Sequence, residues 1–327
     1  MLRRINNILN MKSVRLMYLI FLLFIISACI LPLESRLTHA VSEYTVLYMI
    51  GLLILGLVFF ILNHRHLMIS SMISCAVLCI YLKDASNNNL LIPKIHKGPK
   101  LTVMHINVAS AERQYEQVFD LIESNQADIV TIQESTPDWQ QYFSQTMDQI
   151  YPYQAIIDKP ISFGSGIYSR YPIDHIDTII VERIPNLSVA IHTSNNTEVH
   201  IVNTYLMANT STGTKRSAKD RLSTFTAHIN QITKPIINLG DFNMTYWSRE
   251  ILNYRLKSGL ENSRRGVNVT RLEVPYDHIF FSQELECIAL RDLEVSDNIH
   301  IGLLGTFQLR AIPEKKKEEY SSTILRF

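Results

Sequence analysis

The sequence is poor in cysteine. Only four of its 327 residues are cysteines, and Cys29, Cys75 and Cys79 lie in apolar stretches near the start of the chain. Cys287 is alone in the remainder, so that part of the chain cannot form an internal disulfide. None of the four has histidines at the spacing of a zinc site. Cysteine usage therefore excludes a disulfide-stabilised domain and argues against a zinc centre.

The sequence also lacks an excess of either charge. Its 31 Lys and Arg residues nearly balance 30 Asp and Glu residues, which gives a formal net charge of +1. Proteins that bind duplex nucleic acid through its phosphates carry a strongly basic surface. The balance of charge therefore argues against tight, charge-driven binding of a duplex. A local basic patch is compatible with this balance.

Apolar residues, in contrast, are abundant and unevenly distributed. The chain is 47% hydrophobic, and the first third contains three runs without a charged residue: Leu16–Pro32, Thr45–Leu62 and Leu67–Leu82. Each is close to the roughly 17–25 residues that cross a bilayer as a helix. We therefore predict three transmembrane helices within residues 1–83, the last two joined as a hairpin by the short break Asn63–His66.

Basic residues near the runs bear on orientation. Four precede the first run: Arg3, Arg4, Lys12 and Arg15. Four follow the third run and argue the other way: Lys83, Lys94, Lys97 and Lys100. Ile26–Cys29 resembles a lipoprotein cleavage site, but the apolar Ile30 and the two further runs favour an uncleaved helix. We expect a multi-pass protein of the inner membrane with a cytoplasmic N-terminus and its remaining domain on the outer, periplasmic face.

The rest of the chain has the pattern of an α/β domain. Residues 84–100 contain Asn87-Asn88-Asn89 and two prolines, Pro93 and Pro99, which is typical of a linker, and residues 311–327 form a charged tail. Between them, at 101–310, helical patterns at Ala111–Ser124 and Lys219–Ile232 alternate with strand-like runs. These runs are Leu101–Val108, Ile129–Ile132, Gly166–Tyr168, Thr178–Val181, Val199–Leu206, Ile236–Leu239, His278–Phe281 and Gly302–Leu309.

Polar residues cluster where these strands begin or end. Asn107 and Glu134 close two strands, Asp241 follows a third, Asp277 opens another, and His300 precedes the last. A single carboxylate after a strand is often a turn former or helix cap. Because the same arrangement recurs in one domain, we interpret these residues as parts of one site.

Five motifs follow one another in the order seen in a known superfamily. They are Asn107, Gln133-Glu134, Gly164–Ile173, Gly240-Asp241-Phe242-Asn243 and Asp277–Phe280. In this order they resemble the endonuclease/exonuclease/phosphatase superfamily, which includes deoxyribonuclease I and exonuclease III, and the hydrophobic leader resembles a membrane-anchored bacterial subgroup. The resemblance implies a four-layer fold of two packed β-sheets flanked by helices.

The resemblance also implies a metal site and substrate contacts. Glu134 would be the main ligand of Mg²⁺, or of Mn²⁺ in its place, because a hard cation prefers carboxylate oxygen. Asn107 would support that ligand shell or bind the phosphate. Asp241 would orient and deprotonate the attacking water, and Asn243 would donate hydrogen bonds to the reacting phosphate.

Two positions depart from the family pattern. Tyr205 stands where many members have histidine, but a phenol can still donate to phosphate. The final histidine of the family aligns either with His300 or with Asn298. In the first alignment His300 would stabilise developing charge, with Asp277 behind it. The strand after His300 favours the first alignment; the second predicts impaired hydrolysis.

The function expected from these residues is that of a membrane-anchored, Mg²⁺-dependent phosphoesterase. It would hydrolyse a phosphodiester or phosphomonoester in a nucleic acid or a phospholipid headgroup, and no protein partner is inferred. The alternative is a non-catalytic binding or scaffold domain that keeps the fold with an impaired site. The acidic residues Glu134, Asp241 and Asp277 favour the enzyme.

Overall fold

The computed structural model describes residues 7–31, 36–87, 89, 91–157, 164–207, 218–266 and 274–310. The predicted charged tail, together with Arg3 and Arg4, lies outside these residues. The chain divides into two compact units. One contains the described residues up to 89, Phe242–Lys257, and the described part of Arg264–Tyr276; the other contains the two sheets described below.

The first unit is helical. Before residue 89 its helices include α1 (Lys12–Ile30), α2 (Arg36–Glu43), α3 (Thr45–Ile61) and α4 (Arg65–Ala85). Two of these, α1 and α4, are long and apolar enough to cross a membrane, whereas α3 is apolar but only 17 residues long. We expected three membrane-spanning helices, but only two of the described helices are long enough, and α3 is a shorter apolar helix. The break before α3 contains the helix α2, which was not expected.

The end of α4 packs against a segment from much later in the chain. Leu82 and Ala85 form a buried apolar cluster with Tyr246 and Trp247. The Tyr81 hydroxyl donates to the carbonyl oxygen of Trp247 at 2.5 Å. In return, the Trp247 indole N–H donates to a carbonyl oxygen of α2, that of Ser42, at 2.7 Å. The segment that follows Asp241 is therefore held by the helices of the first unit.

The second unit contains two six-stranded sheets. The first has the order β11-β12-β1-β2-β4-β3 and the second has the order β5-β6-β7-β8-β10-β9. The strands are β1 (Lys100–Asn107), β2 (Ile129–Ser135), β3 (Tyr153–Ile157), β4 (Gly164–Ser169), β5 (Ile173–Val181), β6 (Ile184–His192), β7 (Glu198–Asn203), β8 (Ile236–Asp241), β9 (Glu261–Asn262), β10 (Asp277–Phe281), β11 (Leu285–Val295) and β12 (Ile299–Leu309).

Apolar residues from both sheets share one core. Val103 and Ile129 of the first sheet pack with Ile201, Leu239 and others of the second. Helices α5 (Tyr115–Asn125) and α6 (Pro137–Thr146) cover the outer face of the first sheet, where they pack in a second core. The remaining helices are α7 (Ala218–Ile229) and α8 (Arg249–Ser258). The expected fold of two packed sheets flanked by helices is thus confirmed.

Gly240 lies where the two sheets approach each other closely. Its φ is +145°, and a Cβ placed there would lie 1.9 Å from the carbonyl oxygen of Thr204 and 2.6 Å from Nε2 of Gln133. We expect Gly240→Ala to lower the free energy of unfolding by about 1–3 kcal/mol, since backbone atoms have to move. Thermal unfolding of the full chain in detergent measures the loss. Gly266→Ala, which meets no atom within 4 Å, is the matched control, and equal stability of both variants would contradict the expectation.

Candidate active site

The strand directions bring the expected residues to one end of the two sheets. Strands β1 and β2 are parallel, so Asn107 and Glu134 lie near the same edge. In the second sheet, β10 runs antiparallel to β8, and its first residue, Asp277, pairs with Asp241 at the end of β8. Strand β12 runs antiparallel to β1, which places His300 near this edge as well. Residues far apart in sequence therefore meet.

Asn107 links two carboxylates. Its amide nitrogen donates to Oε1 of Glu134 at 2.8 Å and to Oδ2 of Asp241 at 3.3 Å. Its amide oxygen accepts from the backbone N–H of Ala109 at 3.0 Å. The backbone donor fixes which end of the amide faces the carboxylates. In this arrangement Asn107 supports Glu134 and Asp241 by donating to them.

The backbone at Glu134 departs from regular strand geometry. Its φ is +54°, which is uncommon for a residue other than glycine, and the pairing of β2 with β4 shifts between Ile132 and Ser135. Asn243 also has a positive φ, of +49°. Such conformations cost of order 1–3 kcal/mol each and cluster at functional sites. The irregularity lets the consecutive residues Gln133 and Glu134 both serve the site.

Gln133 joins the two sheets. Its side chain is buried, and its Nε2 donates to Oδ1 of Asn203 at 2.5 Å and to the Thr204 carbonyl oxygen at 2.9 Å. Its Oε1 accepts from the backbone N–H of Asp241 at 3.0 Å. The sequence predicted a place for Gln133 in the motif but no role. The structure assigns it the positioning of Asp241.

Tyr205 faces the acidic pair. Burial raises the pKa of its phenol well above the ordinary value, and the charges of Glu134 and Asp241 and a hydrogen bond with Glu134 raise it further. The hydroxyl therefore keeps its proton at physiological pH. It can donate to a carboxylate or a phosphate, but it cannot act as a base.

His300 lies against Asp277. Its Nε2 is 2.7 Å from Oδ2 of Asp277, and its side chain is 24% exposed, so it reaches solvent while Asp277 is buried behind it. Asn298, the alternative position for the final histidine, lies in an exposed 3-10 turn, Ser296–Asn298, with a φ of +58°. The Asp–His pair expected from the sequence is thus formed with His300.

Asp277 has a second imidazole partner that sequence reasoning missed. Nε2 of His105 is 3.2 Å from Oδ1 of Asp277, and the His105 side chain is fully buried. Burial alone would raise the pKa of Asp277. The hydrogen bonds and electrostatic attraction of His105 and His300 outweigh it and hold that pKa below its ordinary range. Asp277 is therefore an anion held between two histidines.

Asn243 is placed by its neighbours in the chain. It follows Asp241 by two residues, and the backbone N–H of Phe242 between them donates to the carbonyl oxygen of Tyr276 at 3.0 Å. Tyr276 directly precedes Asp277. This bond ties the chain after Asp241 to the chain before Asp277.

The donor set suits a hard divalent cation. Glu134 and Asp241 share one amide donor, and two neighbouring carboxylates are stabilised by a nearby positive charge. Among the described residues, no group of three or more His, Cys, Asp or Glu side chains could hold a metal ion. A site with one or two carboxylates leaves most positions to water, which Mg²⁺ tolerates. The residues fit such an ion better than zinc.

The sequence matches the Endonuclease/Exonuclease/phosphatase family over residues 104–298, more than half of the chain. The chain belongs to this family, whose members are hydrolases of phosphoesters that generally use divalent metal ions. No curated protein matches the sequence.

Solved structures share the fold at low sequence identity. The human Nocturnin catalytic domain with bound sulfate is 18% identical, with a TM-score of 0.52 over 65% of this chain and 94% of that one. D. rerio TDP2, humanized by 14 mutations, is 15% identical, with a TM-score of 0.51 over 64% and 99%. An endonuclease/exonuclease/phosphatase from Beutenbergia cavernae is 14% identical, with a TM-score of 0.51 over 66% and 73%.

Removal of the Tyr205 hydroxyl tests its role as a donor. We expect Tyr205→Phe to lower kcat for a chromogenic phosphodiester by about 10²-fold, the usual effect of losing one donor to a reacting group. Steady-state kinetics of the full chain with Mg²⁺ measure it. Tyr153→Phe on β3, where the side chain is exposed, should leave kcat unchanged. Wild-type kcat in Tyr205→Phe would show that the phenol only fills space.

Proposed function

We propose that the protein is a membrane-anchored, Mg²⁺-dependent phosphoesterase that hydrolyses a phosphodiester or phosphomonoester by attack of water. The proposal is carried by the convergence of Glu134 and Asp241 on Asn107, beside a buried Asp277 that orients His300. Family membership supports the reaction class. The proximity of Glu134, Asn107 and Asp241, together with the Asp277–His300 pair, favours an enzyme over a scaffold with an impaired site.

Each residue has a step that its chemistry allows. Asp241 accepts the proton of the attacking water, and Gln133 holds its backbone in place. Asn243 and the protonated Tyr205 donate to phosphate oxygens. His300 faces the developing negative charge, and Asp277 keeps its ring oriented.

Glu134 would hold the metal ion, with Asn107 fixing the carboxylate from behind. When bound, Mg²⁺, or Mn²⁺ in its place, neutralises charge on the scissile phosphate. A direct contact of Asn107 with the metal would need its amide oxygen, which accepts from Ala109. A contact with the phosphate would need its amide nitrogen, which donates to Glu134 and Asp241. We therefore assign Asn107 to the support of Glu134 and Asp241.

Exposed apolar side chains support the membrane anchor. The outer faces of α1, α3 and α4 expose large residues, among them Leu16, Phe24, Ile61, Ile73 and Ile80. So many large apolar side chains exposed on neighbouring helices are unusual on a soluble protein. Lipid would cover it, and the helices satisfy their own backbone hydrogen bonds as a bilayer requires.

A substrate at the membrane surface is favoured over one in free solution. The helices proposed to cross the membrane would keep the protein beside lipid. A phospholipid headgroup is therefore a better candidate than nucleic acid, which is the other phosphate ester expected.

Loss of the general base tests the reaction. We expect full-length Asp241→Asn in detergent to lose at least about 10²-fold in kcat for a chromogenic phosphodiester, because the side chain can no longer accept a proton. EDTA should abolish wild-type turnover, and added Mg²⁺ should restore it. Asp292→Asn on the edge strand β11 is the control and should keep activity. Equal turnover in both variants, or full activity in EDTA, would refute the mechanism.

A reporter fused after Phe327 tests the orientation. Three crossings by α1, α3 and α4 would put the short connection between α3 and α4 on the side of the N-terminus, and Arg65 at the start of α4 favours the cytoplasm. We expect a reporter that works only outside the cytoplasm to be active there, and a cytoplasmic reporter to be inactive. The opposite pattern would reverse the topology, and the same fusion after Ile61 serves as the cytoplasmic control.

A further inference from the structure

Asp277 binds one histidine through each of its oxygens. The family resemblance accounts for His300 on Oδ2, at 2.7 Å. It does not account for His105 on Oδ1, at 3.2 Å. His105 lies two residues before Asn107 on β1, in the first sheet, whereas Asp277 begins β10 in the second. The contact is therefore a polar bridge between the sheets, behind the partly exposed imidazole of His300.

The His105 ring is held from its other side as well. Its Nδ1 is 3.4 Å from the hydroxyl oxygen of Thr131, the residue paired with His105 on the parallel strand β2. Asp277 as an anion can only accept, so Nε2 of His105 carries the proton in this contact. The ring is fully buried, and water cannot replace the bond if it is lost. A buried donor in such a position has a fixed partner.

The contact restricts the Asp277 carboxylate. A carboxylate bound at one oxygen can rotate about its last torsion, which is broad for aspartate. Bound at Oδ1 by His105, it keeps Oδ2 directed at His300. Burial raises the pKa of Asp277, but the two histidines lower it by more, so that it lies below the ordinary value. This agrees with a carboxylate that stays charged.

We propose that His105 is a positioning residue for the reaction: it fixes Asp277 from the first sheet, so that Asp277 in turn fixes the imidazole of His300 toward the substrate. The inference rests on the proposed function for its kinetic consequence. Its structural consequence, a change at His300 when His105 is replaced, is independent of the reaction.

Two substitutions separate donation from packing. His105→Leu keeps an apolar filling but removes the donor, and His105→Gln places an amide N–H near the position of Nε2. We expect His105→Leu to lower kcat for a chromogenic phosphodiester with Mg²⁺ by about 10–100-fold, the usual range for residues that orient a working side chain, with KM within about twofold. His105→Gln should recover most of the loss.

Met104→Leu is the matched control. Met104 is adjacent on β1, equally buried, and packs in the other core, against the helices. This volume-conserving change should leave kcat and KM unchanged. Thermal unfolding of each full-length variant in detergent shows that the comparison is made between folded proteins.

The second readout is the ring of His300 in protein labelled with ¹⁵N-histidine, assigned by the loss of its signals in His300→Gln. We expect the Nε2 proton signal of His300 to shift or broaden in His105→Leu and to return toward the wild-type position in His105→Gln. An unmoved signal in His105→Leu overturns the inference whether or not the protein turns over the probe. So does a His105→Gln variant as impaired as His105→Leu, which would leave packing as the explanation. A wild-type protein inactive on every phosphate ester would contradict the proposed function alone.

Discussion

Buried hydrogen bonds between the two sheets hold the candidate site together. Gln133 reaches from β2 to Asn203 and to the backbone of Asp241, and His105 reaches from β1 to Asp277. A buried polar group left without its partner costs about 1–3 kcal/mol. The sheets therefore cannot shift at this edge without breaking several such bonds at once. The geometry of the site is in this sense a property of the packing between the sheets, and an apolar core alone would not define it.

Much of the site could be predicted because it follows strand ends. Short apolar runs located β1, β2, β8, β10 and β12 to within a few residues, and the polar residues beside them meet because parallel strands end together and antiparallel strands begin there. The sequence did not decide whether His300 or Asn298 occupies the position of the family's final histidine, and the reason is local. The turn before β12 displaces the histidine along the chain, and only the pairing with β11 determines where the strand begins.

Other features left no local signal in the sequence. Strand β6 has Pro185 and Asn186 among its first residues, which ordinarily interrupt strands. They pair with β5 alone, and the pairing of β6 with β7 begins at Leu187. His105 and Asp277 are 172 positions apart, and no period or motif connects them. Buried polar partners across two sheets are set by tertiary structure, so a fully buried histidine on an apolar strand could not be distinguished from a core residue beforehand.

The helical unit also holds the segment of chain that follows Asp241. Trp247 and Tyr246 pack on Leu82 and Ala85, and Arg255 donates to the carbonyl oxygen of Ala85. A chain that began at residue 98 would lack these partners and expose two large aromatic rings close in sequence to Asp241 and Asn243. Exposed aromatic surface promotes association, and the segment would lose the contacts that hold it. The segment after Asp241 thus depends on helices from the start of the chain, and for this reason the full-length protein is the form in which activity is best measured.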